Sequence, residues 1–280
     1  MKVLSFPLGR LGNAIFRYLA TVVFHVVYGA DVINHSQVEP TDKYLKITDE
    51  IFIKWMNNNL NGIQSEFDDI TYAFNGYFQH DAIYVKYRQQ IMDYIRSNPY
   101  DMLITDGKTE QRPDYDYFPE QYPSGHLLNP PVPINKVYDT VVHLRLEDFI
   151  ENGQVIHPES IKNILEKINA PSYCIVVNNP KTELELLYIE YLRRYFNITP
   201  ESNDIITDFH IMKNAKTLVC SCSTISWSAA FFSDTIEHLY MPDYYSTRPH
   251  ETFRRPIPNT TAYYYRSCSK YELHDFLINN

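Results

Sequence analysis

KVYDTVVHLRLED, residues 136–148, is an apolar, β-branched run that ends in a charged turn. Val137, Thr140, Val141 and Val142 suit a pleated, buried strand, so a strand is predicted from Lys136 to Leu144. Downstream, helices are predicted at Pro158–Ile168, Thr182–Phe196, Asp204–Asn214 and Ser223–Phe232, and strands at Tyr173–Asn178, Thr217–Cys220 and Ile236–Met241. Strands alternating with helices at this spacing predict a parallel sheet covered by helices. Upstream, Lys2–Phe6 reads as a strand, Gly9–Gly12 as a turn and Asn13–Tyr28 as a helix closed by Gly29. Ala30–Asn34 follows as a second strand, and Ile83–Ser97 reads as a further helix. Six prolines between Arg112 and Pro133 mark a connection between domains. The expectation is an α/β protein of two domains, residues 1–130 and 131–280, facing one another across a cleft.

Composition narrows the function. With 44% hydrophobic residues in 280, each half can bury a core. A formal charge of −9 without basic runs argues against a nucleic-acid partner, yet one or two arginines can hold a diphosphate. No run of consecutive apolar residues approaches the roughly 18–20 that cross a bilayer, so no transmembrane segment and a cytoplasmic location are expected. Four cysteines, Cys174, Cys220, Cys222 and Cys268, lack metal-ligand spacing and read as reduced thiols.

Three turns carry chemistry. Gly9-Arg10-Leu11-Gly12-Asn13 joins a strand to a helix, where glycines admit close approach and helix N–H groups favour an anion. An ordinary turn with Asn13 as helix cap accounts for the same residues. His143-Leu144-Arg145-Leu146-Glu147-Asp148 lies at a strand end. There Arg145 can fork onto a diphosphate, or pair with Asp148 instead. Cys222-Ser223-Thr224-Ile225-Ser226-Trp227 offers hydroxyls and helix N–H groups as an uncharged phosphate cradle, or simply a hydroxyl cap. Asp114-Tyr115-Asp116 looks like a metal-binding pair of carboxylates but sits in the proline-rich stretch rather than after a strand. A base for an acceptor hydroxyl has four candidates: Asp148, Glu147, His80 and Asp81.

Taken together, these blocks resemble the α-1,2-fucosyltransferases and their bacterial and viral relatives. Residues 9–18 (GRLGNAIFRY) resemble the family's N-terminal glycine–asparagine motif, and Gly76-Tyr77-Phe78-Gln79 its Gly-Tyr-aromatic-Gln segment. His143–Asp148 resembles His-x-Arg-Arg-x-Asp. Asp208-Phe209-x-x-Met212 with Ser223–Trp227 resembles the C-terminal Ser-x-Phe-Ser-Trp block. The order of the blocks is the family's. Leu146 replaces a second arginine, as in the His-Leu-Arg core of the protein O-fucosyltransferases, and Cys222 replaces an asparagine.

The resemblance implies a GT-B fold of two Rossmann-like domains, the N-terminal one facing the acceptor and the C-terminal one binding the nucleotide sugar. It implies an inverting glycosyltransferase with no metal and no cofactor beyond the nucleotide sugar as co-substrate, acting on a glycan acceptor. Arg145, His143 and Asp148 are then the expected catalytic residues. Gly9, Arg10, Gly12, Asn13, Asp208, Ser223, Thr224 and Ser226 are expected at the nucleotide sugar, and Tyr77, Gln79 and His80 at the acceptor. GDP-fucose is the first donor expected. Another donor such as UDP-xylose, and a sugar- or nucleotide-binding relative without turnover, are the alternatives.

Overall fold

The computed structural model describes residues 2–5, 10–34, 44–57, 71–74, 76–100, 103–106, 120–243 and 255–280. The chain divides into two compact units, Met1–Pro131 and Val132–Asn280.

The first unit runs β1 (Lys2–Ser5), α1 (Leu11–Tyr28), β2 (Asp31–Asn34), β3 (Tyr44–Ile47), α2 (Asp49–Asn57), β4 (Thr71–Phe74), α3 (Asp81–Lys86), α4 (Arg88–Ser97), β5 (Leu103–Asp106) and β6 (Glu120–Pro123). Its parallel sheet has the order β2-β1-β4-β3, and β5 and β6 form a separate antiparallel pair. The strand order reverses between β1 and β4. Helix α1 is 18 residues long and apolar enough to pass, by length and hydropathy, for a membrane span. Most of its apolar side chains are instead buried, as in a core helix. Phe24 packs edge-on to Phe74, and Phe74 in turn to Phe78. Gly29 takes the left-handed conformation (φ 64°) and donates its N–H to the His25 carbonyl at 2.8 Å, ending the helix.

Several expectations shift here. Helix α1 begins at Leu11, not Asn13, so Leu11 and Gly12 lie in its first turn rather than in a loop. The single helix expected at Ile83–Ser97 is two, α3 and α4, separated at Tyr87. Part of the expected connection is structured: Glu120–Pro123 pairs with Leu103–Asp106, and a 3-10 turn, Ser124–Leu127, follows. Gly9 and the Asp114-Tyr115-Asp116 sequence lie outside the described residues.

The second unit runs β7 (Thr140–Leu144), α5 (Glu147–Glu151), β8 (Val155–Ile156), α6 (Pro158–Ile168), β9 (Tyr173–Val177), α7 (Glu183–Arg193), β10 (Ile198–Glu201), α8 (Ile205–Lys213), β11 (Thr217–Val219), α9 (Thr224–Phe232), β12 (His238–Pro242), β13 (Thr260–Tyr263), β14 (Ser267–Cys268) and α10 (Lys270–Asn279). Six strands form one parallel sheet, β10-β9-β7-β11-β12-β13, while β8 and β14 make a small antiparallel pair. Counting β7, β9, β10, β11, β12 and β13 as strands one to six, the order is 3-2-1-4-5-6, that of the doubly wound nucleotide-binding sheet. The α/β class expected from the sequence is present, with a parallel sheet in each unit. The strand expected from Lys136 starts only at Thr140. Lys136 and Tyr138 instead reach Glu201 at 2.7 and 2.5 Å.

Candidate functional site

In a doubly wound sheet, ligands bind beyond the carboxyl ends of the strands where the order reverses. In the second unit that point lies between β7 and β11, which are neighbours in register Val142↔Val219. The segments leaving these two ends are His143–Asp148 and Ser221–Ser226. They touch: His143 Nδ1 and Ser221 Oγ share a 2.8 Å hydrogen bond between buried groups.

Arg145 follows β7. Its Nε and one terminal nitrogen donate to the two Asp148 oxygens at 3.2 and 2.8 Å, and its guanidinium lies 4.6 Å from the Phe149 ring centre. The pair foreseen as the alternative role of Arg145 is therefore present. It takes one edge of the fork and leaves the side chain 22% exposed. Glu147 accepts from Asn178.

Helix α9 starts without a side-chain cap, so the hydroxyl-cap reading of this turn does not hold. Ser223 occupies the N-cap position, yet its buried hydroxyl has no hydrogen-bond partner. A helix start left uncapped beside an unsatisfied buried hydroxyl is chemically suited to an anion, which can accept from both. Thr224 opens the helix. Ser226 is buried and donates its hydroxyl back to the Ser223 carbonyl at 3.1 Å. Asp208, on α8, is engaged by the backbone N–H and side-chain amide of Asn203 at 3.1 and 2.9 Å. Burial raises its pKa against those bonds.

In the first unit the reversal between β1 and β4 again brings two motif segments together. Gln79 donates to Asn13 Oδ1 at 3.2 Å, so the Asn13 amide serves a partner after β4 instead of capping α1. Arg10 is the N-cap residue, in extended conformation. Asp49, at the start of α2, organises the segment after β4. Its Oδ1 accepts the Phe78 N–H at 3.1 Å and lies 2.9 Å from His80 Nε2. Phe78 sits at φ 52°, unusual for a residue with a side chain, and the Tyr84 hydroxyl donates to its carbonyl. At Gly76 a side chain would displace the Asp49 carboxylate. A Cβ there would lie 1.8 Å from Asp49 Oδ2. Tyr77 is 55% exposed, and Asp81 is buried at the first position of α3.

Sequence reasoning passed over Asp49, Ser221 and Arg17. Arg17 is buried in α1, donates to the Phe74 carbonyl at 2.6 Å, and burial lowers its pKa to about 10. It lay inside the quoted N-terminal motif, which was the one available signal. Asp49 is 29 residues from Phe78, and no spacing rule links them. All four cysteines are free thiols, and burial pushes Cys174, Cys220 and Cys268 up to about 12. Among the described residues, no group of three or more His, Cys, Asp or Glu side chains is placed to hold a metal ion.

No protein-family model matches the chain, and no curated protein matches it. Among solved structures it is similar to POFUT1 in complex with GDP-fucose, at 10% identity over 85% of this chain and 96% of that one, with a TM-score of 0.44. It is also similar to a variant of Arabidopsis thaliana FUT1 in complex with GDP, at 8% identity over 86% and 69%, TM-score 0.49. A third is E. coli heptosyltransferase WaaC with ADP-2-deoxy-2-fluoro heptose, at 9% identity over the whole of both chains, TM-score 0.43.

Proposed function

We propose that the chain is an inverting, metal-independent glycosyltransferase of the GT-B type that moves a sugar from a nucleotide diphosphate onto a hydroxyl of a glycan, with GDP-fucose as the first donor to test. The observation that carries this reading is the strand-order reversal of the second unit. There Arg145 and the uncapped, hydroxyl-lined start of α9 leave the ends of adjacent strands. Both groups suit a diphosphate, one as a fixed cation and the other through N–H dipoles. The motif resemblance supplies the sugar.

In the reaction, the acceptor oxygen bonds to the sugar carbon as that carbon's bond to the diphosphate breaks. The electron pair leaves on the diphosphate, and the acceptor proton passes to a base. Charge grows on the diphosphate as the bond breaks, so donors already aimed there favour the transition state. Asn13, Tyr77, Gln79 and His80 form the proposed acceptor-binding edge of the first unit. Of the four candidates for the base, Asp148 is taken by Arg145, Glu147 by Asn178, and Asp81 is buried. His80 has one ring nitrogen on Asp49.

The test is a thermal-shift panel of GDP, UDP, ADP and their sugars, followed by turnover with and without glycan acceptors. A ligand at 100 times its Kd adds about 2.7 kcal/mol of stability. Absence of any shift, or a nucleotide mapped only to residues before 110, refutes the reading. A second reading, binding without turnover, is favoured by the engagement of Arg145 with Asp148. Nucleotide binding without release of free nucleotide from any donor would select it.

A further inference from the structure

Helix α5 follows directly on Arg145, and its first N–H belongs to Glu147. Leu146, at the N-cap, has no side chain able to accept that donor and takes an unusual backbone conformation, φ −97° and ψ −94°. The acceptor comes from another element. Glu185 Oε1 accepts the Glu147 N–H at 3.2 Å. The other oxygen, Oε2, accepts from Lys181 N at 2.8 Å, Thr182 N at 2.7 Å and Thr182 Oγ1 at 2.9 Å. Thr182 and Glu185 form the capping box of α7, so one carboxylate, only 3% exposed, serves the starts of two helices. The sheet explains how it reaches. Strands β7 and β9 are neighbours in register Leu144↔Val177, so the segment leaving β9 runs beside the one leaving β7. Burial opposes the charge on Glu185, but the hydrogen bonds from Thr182, Lys181 and Glu147 outweigh it and hold its pKa below the ordinary value.

We infer that Glu185 is a positioning residue for the proposed diphosphate site: by holding the Glu147 N–H it fixes the turn that aims Arg145. The inference rests on the functional reading above. Two substitutions separate this role from ordinary helix capping. In Glu185→Gln the amide has one acceptor oxygen. Kept on the three donors of the α7 start, it turns its NH2 group towards the Glu147 N–H, donor against donor. Thr182→Ala weakens the α7 cap and leaves the Glu147 contact in place.

The experiment measures kcat, KM, nucleotide Kd by calorimetry, melting temperature, and amide exchange across residues 146–149 for both variants. Glu185→Gln should lower the melting temperature, as Thr182→Ala does, but also lose roughly ten- to a hundredfold in kcat and exchange faster at Glu147, because a misaimed group costs rate more than binding. Thr182→Ala should lower the melting temperature and leave kcat unchanged. Wild-type kcat in Glu185→Gln, or equal losses in both variants, overturns the inference while the nucleotide site stands. A wild-type protein that binds no nucleotide refutes the underlying reading instead.

Discussion

Replacing Arg145 with alanine should abolish most turnover while barely loosening the fold, and the structure sets both sides of that contrast. The ion pair with Asp148 joins side chains 22% and 41% exposed, three residues apart. Such pairs contribute about 0.3–0.5 kcal/mol. The contact with the Phe149 ring, 4.6 Å from its centre, adds about 0.5–1 kcal/mol. The stability loss is therefore about 1 kcal/mol, and the melting temperature of a unit this size should fall by roughly 2–4 °C. If the guanidinium holds the departing diphosphate, its loss costs about 3–4 kcal/mol in the transition state, or roughly 100–1000-fold in rate. Leu146 cannot share that load. Arg145→Lys should recover little, because an ammonium can replace neither the fork to Asp148 nor a bidentate phosphate contact. Turnover and melting temperature measured on the same preparations decide the matter. Near-normal turnover, or a melting loss above about 10 °C, would show that Arg145 serves the fold rather than the chemistry.

Gly76→Ala should destabilise the first unit by about 1–3 kcal/mol, because the new methyl group overlaps Asp49 Oδ2; a wild-type melting temperature would contradict this. Burial works against the charge on Glu201, but bonds from Lys136, Tyr138 and Asn203 outweigh it and hold its pKa below the ordinary 4.5. A lowered folded pKa contributes stability that is present above pH 4.5 and lost as the pH falls through the folded value. Urea unfolding of Glu201→Gln should accordingly show a weaker dependence on pH below about 4.5 than the wild type. Transfer activity should survive EDTA, as the motif resemblance implies. Loss in EDTA with recovery on manganese would refute that.

The elements read best from the sequence carry their own boundary chemistry. Pro158–Ile168 is a helix over the range expected, with His157 capping its start and Asn169 left-handed at its end. Among the elements missed, α10 opens with the Ser269–Glu272 capping box and was legible in principle, while others lack such signals. Strand β10 reads Ile-Thr-Pro-Glu, and a proline argues against a central strand; the sheet tolerates Pro200 because β10 is an edge strand. Strands β3 and β13 are edges too, each of four residues, too short to stand out as apolar runs. Conversely, the periodicity of residues 83–97 continues across Tyr87 with no glycine or proline to mark the break between α3 and α4. At the site, the motif residues were legible and their long-range partners were not. Arg145 with Asp148, three residues apart, could be foreseen as a pair. Asn13 with Gln79, 66 residues apart, and His143 with Ser221, 78 apart, depend on which strands lie side by side.

That dependence bears on why the motif blocks stand where they do. In the first unit, the blocks beginning near Gly9 and at Gly76 leave β1 and β4, the two strands at which the order reverses. In the second, the blocks at His143 and Cys222 follow β7 and β11, which flank its own reversal. On either side of such a point the connecting helices cross in opposite directions, so two loops part and expose backbone N–H groups and side chains to a ligand. Fold requirements alone would account for a glycine or a capping residue in any one of the four turns. An uncapped helix beside an unsatisfied buried serine stands at one reversal, and a left-handed Phe78 held by Asp49 at the other. Both features cost stability, and both sit where this type of sheet receives ligands. If Ser223 serves the diphosphate as proposed, Ser223→Ala should change nucleotide affinity more than it changes melting temperature, and the reverse result would assign Ser223 to the fold.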